Sequence, residues 1–374
     1  MLHHELRGHY AELRQLRTRS ELHASALWRR IGGEVETLLG SVERGDRSDA
    51  RPVAKLRAAA WNIQRGTHFE QLRDALRTDP VLREADVLML SEVDLGLGRS
   101  NNRNVAKDLA DALGMSYAFA VSYLTLEDDH LENLDQTENT LALAGSAVLS
   151  RAPIKRVINA DLPEVRDKFS SSEKRLGKKR AVIAELETAN GPIVVAQAHL
   201  DSNASPRQRA QQLAALLDQA RGLGVPRILL GGDLNTTTYD LASRWAFVKD
   251  LVHKLFVTGF DATIANYMTP DERYELPTFA ALRAAGFSIE GFNDRTLGTM
   301  NYDLADPYTF EKVRKAVGGW LARWLVRRLR SFDGIVRAKL DWFAGSELVG
   351  HDPRVIHVAG DVSDHDAVVI DIDV

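Results

Sequence analysis

The stretch Arg227-Ile228-Leu229-Leu230-Gly231-Gly232-Asp233-Leu234-Asn235-Thr236 decides how this chain is read. Arg227–Leu230 is a short, mostly apolar run of the kind that forms a buried strand. The glycine pair closes the run, and Asp233 and Asn235 follow two residues apart. In extended backbone that spacing turns both polar side chains to the same side. Such a strand end is either a plain turn or one wall of a site.

Four other stretches repeat the pattern. Trp61-Asn62-Ile63 ends the run Leu56–Ile63, and Leu90-Ser91-Glu92-Val93-Asp94 follows Ala85–Leu90. Ala198-His199-Leu200-Asp201-Ser202 follows Ile193–Ala198, and Ser363-Asp364-His365-Asp366 precedes the alternating run Ala367–Val374. Ala144–Leu149 and Ala181–Leu186 add two more strand-like runs. Val105–Leu113 and Arg207–Ala220 read as helices, the second opened by Ser205-Pro206 as cap and first turn. Strands and helices intermixed in this way predict layered α/β (α+β) packing.

Taken singly the stretches are weak. Asn62 reads equally as a turn residue, His199 as a satisfied core histidine, and Ser-Asp-His as an ordinary loop. Glu92 is harder to dismiss, because a carboxylate at a buried strand end is costly unless paired or metal-bound. An oxygen-rich set of this kind suits a hard cation such as Mg²⁺, with Mn²⁺ as substitute. The chain has no cysteine. Disulfides, thiolate zinc sites and cysteine nucleophiles are therefore excluded.

Together, their order resembles the exonuclease–endonuclease–phosphatase superfamily of metal-dependent phosphoesterases. That superfamily includes deoxyribonuclease-like nucleases, abasic-site endonucleases, neutral sphingomyelinases and inositol polyphosphate 5-phosphatases. The resemblance runs from about Lys55 to the C-terminus. Gly232–Asn235 and Ser363–His365 carry it most specifically. Ala144–Arg151 and Lys339-Leu340-Asp341-Trp342-Phe343 look like two further strands of the family. The resemblance implies a four-layered sandwich, two face-to-face mixed sheets flanked by helices. It implies Glu92 as principal metal ligand, assisted by Asn62, with Asp364 helping directly or through water. It implies Asp233 as the group that prepares the attacking water, and Asn235 as a phosphate contact. His365 would pair with Asp341 and touch the phosphate, and His199 would ease the leaving oxygen away. All eight residues are then expected in one pocket. Asp333, in Phe332-Asp333-Gly334-Ile335, competes with Asp341 as partner of His365.

The remaining readings concern organisation and partners. The chain has 374 residues, 44% hydrophobic and 27% charged, enough for a sizeable core without staples. Residues 1 to about 44 read as helix, from Leu6, Tyr10, Leu13, Leu27, Ile31, Val35 and Leu38 at spacings of three and four. A polar break over Gly45–Pro52 separates this arm (1–50) from the catalytic domain (51–374). The arm either packs on that domain or self-associates, and no motif residue lies in it. Residues 251–331 read as an insertion. Within it Phe310–Phe332 is a basic amphipathic helix, either packed on the core with a solvated basic face or in contact with a membrane surface or nucleic acid. A second basic run, Lys174–Arg180, is a solvated loop or, beside the site, an attractor of polyanions. The formal charge of −4 argues against bulk attraction to nucleic acid. No secretory signal is evident, so a cytoplasmic protein is expected. The expected partner is a phosphate ester: nucleic acid, lipid or a small phosphodiester. The competing functional reading is an inactive binding module keeping the same fold.

Overall fold

The computed structural model describes residues 2–127, 137–171, 173–236, 249–250, 253–303, 310, 314, 318–329, 335–360 and 362–374. Two sheets carry the architecture. The larger runs β1 (Val42–Gly45), β4 (Ser116–Thr125), β5 (Leu143–Ser150), β3 (Val87–Leu95), β2 (Lys55–Arg65), β15 (Ala367–Asp373), β14 (Gly350–Ile356), with β7 (Arg175–Gly177) added beside β4. The smaller runs β13 (Asp341–Ser346), β10 (Ile228–Asp233), β9 (Gly191–His199), β8 (Arg180–Thr188), β6 (Ile154–Asp161). A short ribbon pairs β11 (Met300–Asp303) with β12 (Ile335–Ala338).

The two-residue period of a strand sorts the side chains into layers. On β2, Leu56, Ala58 and Ala60 join a buried cluster with Val195, Leu229 and Phe343 of the smaller sheet. The alternate residues Ala59, Trp61 and Ile63 join a second cluster with helices on the outer face. A third cluster packs α4 (Pro206–Arg221) and the helix Leu276–Ala284 on the outside of the smaller sheet. The result is a four-layered α/β sandwich: helix, sheet, sheet, helix. Ser205 caps α4 with Gln208 in a capping box, and proline occupies the first turn. Glycine at Gly231 leaves room for the Phe343 ring of the neighbouring strand β13, 2.4 Å from where a Cβ would lie, and for the Met89 sulfur of the larger sheet at 3.0 Å.

The N-terminal segment differs from a helix running to residue 44. It forms α1 (Tyr10–Gln15), α2 (Arg19–Ala24) and α3 (Ala26–Leu39), broken where Thr18 and Ser25 cap the next helix. Val42–Gly45 is then a strand, paired antiparallel with Tyr117–Ala120. Local helical periodicity loses there to the open edge of β4, whose backbone groups need partners. Leu6, Leu13, Leu22, Leu27, Ile31 and Val35 are buried in the same cluster as Leu90 and Phe119. In the basic helical stretch, Gly319–Leu329 is helix. Its Ala322 and Leu329 are buried, and Trp324 packs edge-on to Phe260 at 5.7 Å, while Trp320 is 76% exposed. Asp333 lies outside the described residues. Among the described residues no helix is long and apolar enough to cross a membrane.

Each sheet holds one parallel pair, β2–β3 and β9–β10. Both pairs end at the same end of the sandwich. Asn62 stands opposite Ser91, and Asp233 opposite His199. β13 runs antiparallel to β10, so its first residue, Asp341, stands opposite Asp233 on the other side.

Candidate active site

Four side chains converge on one carboxylate oxygen, Oδ2 of Asp233. The amides of Asn62 and Asn235 each donate to it at 3.2 Å. His199 Nε2 stands 3.5 Å away and His365 Nε2 3.9 Å away. The other oxygen, Oδ1, accepts the Asn235 backbone N–H at 2.8 Å. Asn62, His199, Asp233, Asn235, Asp341 and His365 are all buried. Burial raises the Asp233 pKa, which strengthens it as a base.

The glycines before Asp233 explain how the chain reaches this position. Gly232 has φ +137°, and an added Cβ would lie 2.1 Å from the Ala198 carbonyl oxygen. Only glycine lets β10 approach β9 this closely. Asn235 takes the left-handed conformation at φ +50°, where asparagine is enriched, and its amide also donates to the Leu200 carbonyl at 2.9 Å.

His365 is fixed from several sides. Its Nδ1 bonds Asp341 Oδ2 at 2.8 Å, so Asp341 is its carboxylate partner among the described residues. The Trp61 indole donates to its carbonyl at 2.8 Å. Ser363 Oγ accepts the His365 N–H at 3.1 Å and donates to the Asn62 carbonyl at 2.6 Å, tying the Ser-Asp-His turn to β2. Burial disfavours the imidazolium, but the Asp341 and Asp233 carboxylates outweigh it, and the pKa rises well above the ordinary histidine value. His199 goes the other way: burial and the nearby Lys179 push it down to about 4. Near neutral pH the site therefore holds one charged and one neutral imidazole.

Glu92 sits at a bulge in β3, at φ +53°. Burial disfavours its charge, yet Arg65, His199, Lys179 and Arg175 hold its carboxyl well below the usual range. Its oxygens stand 3.7 Å from Arg65 Nε and 3.9 Å from His199 Nε2. Asp364 is exposed at the rim, next to His365. Asp233, Asp341 and His365 also form a group whose donor atoms lie within 4.8 Å of one another, close enough to hold a metal ion.

The profile of the Endonuclease/Exonuclease/phosphatase family matches residues 59–365. The chain belongs to that family. An endonuclease/exonuclease/phosphatase structure from Beutenbergia cavernae DSM 12333 superposes with a TM-score of 0.53 at 16% identity, covering 86% of this chain and 72% of that one. A Neisseria 3′ phosphatase, NExo, bound to a product DNA hairpin gives 0.46 at 15% identity, over 84% of this chain and 98% of that one. An AP endonuclease from Archaeoglobus fulgidus gives 0.47 at 15% identity, over 85% and 100%. At such identities the first likeness is one of fold, and the two weaker ones carry no argument. No curated protein matches the chain.

Within this family fold, seven of the eight residues singled out in the sequence are linked by contacts of 3.9 Å or less: Asn62, Glu92, His199, Asp233, Asn235, Asp341 and His365. Asp364 makes no such contact among the described residues. Two participants escaped the sequence reading. Arg65 stands beside Glu92, with nothing but its place three residues after Asn62 to mark it. Thr299, inside the 251–331 interval, accepts the backbone N–H of Leu340 at 2.9 Å and of Asp341 at 3.0 Å. Its carbonyl accepts the Asp366 N–H at 2.7 Å, so one threonine braces both halves of the Asp341–His365 pair. A threonine in Gly-Thr-Met carries no sequence signal for that.

Proposed function

We propose that this chain is a divalent-metal-dependent hydrolase that cleaves a phosphate ester by in-line attack of an Asp233-activated water. The observation that carries the reading is the convergence of two amides and two imidazoles on Asp233 Oδ2. Asp233, made more basic by burial, takes the proton of the water. Asn62 and Asn235 hold its carboxylate in place through their amides, and the Asn62 side-chain carbonyl is itself oriented by the Gln64 N–H at 3.2 Å. His365, protonated and oriented by Asp341, places positive charge against the phosphate oxygens as negative charge builds there. His199, neutral, donates a hydrogen bond to the departing oxygen.

The donors present fit a hard cation. Glu92 is half-buried, accepts no hydrogen bond among the described residues and has Arg65 Nε no nearer than 3.7 Å, so its carboxylate oxygens are open to an ion. Glu92 would hold the metal, with the Asn62 carbonyl oxygen beside it and Asp364 at the rim. A bound Mg²⁺ would polarise the phosphoryl oxygen. The group Asp233, Asp341 and His365 is the weaker metal candidate, because a protonated imidazole has no lone pair to offer.

The deciding experiment is a Mg²⁺- and Mn²⁺-dependent screen over plasmid DNA, RNA, sphingomyelin, inositol phosphates and an aryl phosphodiester, with EDTA and the Asp233→Asn variant as controls. Metal-dependent turnover by wild type and its loss in the variant support the proposal. Equal background hydrolysis by both, on every ester, would leave the inactive binding module as the reading.

A further inference from the structure

The basic run Lys174–Arg180 is not a solvated loop. Its β7 part hydrogen-bonds to β4, opposite Tyr123–Thr125. The Lys174 ammonium turns away from the site and caps the carbonyls of Arg14 at 2.6 Å and Leu16 at 2.8 Å. Arg175, Lys179 and Arg180 turn the other way and, with Arg65 and Arg99, line an open cleft. Glu92 and His199 belong to the same lining, so the cleft opens directly onto the active site.

Its charge balance is uneven. Asp94 holds Arg99 through two bonds of 2.7 and 2.9 Å. Glu173 bonds Arg99 at 2.8 Å, pairs with Arg175 and lies 3.6 Å from Arg65. Asp161 lies 3.1 Å from Arg180, and Glu92 3.7 Å from Arg65. Among the described residues, Lys179 has no hydrogen bond or ion pair within 4.0 Å. Its ammonium feels Asp201, Glu92 and Asp233 only from farther off, and burial pushes its pKa down to about 8. Two guanidinium nitrogens, Arg175 Nε and Arg180 Nε, are also buried with no hydrogen-bond acceptor. A buried donor without an acceptor is costly, more so when it is charged. Enclosed donors and an uncompensated ammonium around one cleft are what a doubly charged oxyanion would satisfy. Ser122, Gly145 and Ser146 of the larger sheet complete the lining.

We propose that this cleft seats a second phosphate group of the substrate, beside the ester being cut. The enzyme would then be selective for compact substrates carrying at least two phosphates over single diesters. This rests on the phosphoesterase reading above, and the test separates the two. The first measurement is calorimetric titration of inorganic diphosphate into the full chain in EDTA, for wild type, Lys179→Met and Lys179→Arg. Lys179→Met should bind at least about tenfold more weakly, and Lys179→Arg, which keeps the charge, should bind close to wild type. The second is the ratio of kcat/KM on a nucleoside bisphosphate or an inositol bisphosphate to that on an aryl phosphodiester. That ratio should fall about tenfold or more in Lys179→Met. A 5′-phosphorylated oligonucleotide forms the third arm; a larger loss there than on the small bisphosphates would assign the phosphate to nucleic acid. Diphosphate binding and a kcat/KM ratio both unchanged in a folded Lys179→Met would overturn the proposal. If wild type cleaved no ester at all, the phosphoesterase reading would fail while the titration still decided the subsite.

Discussion

Replacing Asp341 with asparagine tests the charge state on which the proposed chemistry depends. The Asp341–His365 bond is 2.8 Å long and both side chains are buried. Two unit charges about 4 Å apart interact by about 4 kcal/mol at an effective dielectric of 20. Removing the charge should therefore lower the His365 pKa, and Asp233, 3.9 Å away, keeps part of the field. The sign follows from the raised pKa. Wild-type His365 stays protonated below its folded-state pKa, which lies well above 6.5, and loses the proton as pH rises through it. In Asp341→Asn that loss comes at lower pH, so the basic limb of the pH–rate profile should move down. The same linkage gives wild type stability that is complete below about pH 6.5 and is lost as pH rises through the folded pKa. Lys339, held at about 8 by burial and raised by Asp341, also feels the change. The assay therefore pairs the profile with NMR titration of the His365 ring, which reports that residue alone. An unmoved ring titration in a folded Asp341→Asn would refute the reasoning, and Asp333→Asn should leave both readouts alone.

Three further outcomes are expected. Asp233→Asn should lower kcat by roughly 10²–10⁴-fold while KM changes far less, measured on whichever ester the screen selects. Glu92→Gln removes charge at nearly constant volume, so calorimetry should show weaker Mg²⁺ binding with an unchanged melting curve; equal affinity would remove Glu92 from the ligand set. Gly232→Ala forces a side chain into φ +137° and to 2.1 Å from the Ala198 oxygen, so denaturant unfolding should show a loss of roughly 2–6 kcal/mol, and a loss under 1 kcal/mol would contradict the close approach.

The strands that carry chemistry were legible because each is an apolar run stopped by a polar residue. Arg227–Leu230 and Ile193–Ala198 appear as β10 and β9, extended to the motif residues themselves. Val105–Leu113 is a helix over those same residues. Ser116–Thr125 was not singled out, although it is buried throughout its length. A strand covered on both faces has no alternation to show, and only its partners identify it. Val42–Arg44 reads as helix for a related reason: nothing local announces that β4 has an open edge to fill.

The N-terminal segment shows what a motif leaves unrecorded in physical terms. No motif residue lies before Lys55, and from that the segment looks dispensable. In the structure, however, Arg14 and Leu16 of that segment anchor Lys174, the residue that leads into Arg175 and the cationic cleft. The carbonyl of Leu126 takes a bond from Arg14 at 2.7 Å, and Arg19 makes a two-pronged bond to Glu164. A motif records the groups that touch the reacting atoms. It does not record the backbone carbonyl that decides which way a neighbouring lysine points. The charges of Lys174 and Lys179 are indistinguishable in the sequence. One is spent on capping α1 and the other is left facing the site, and only the packing of a helix with no catalytic residue separates them.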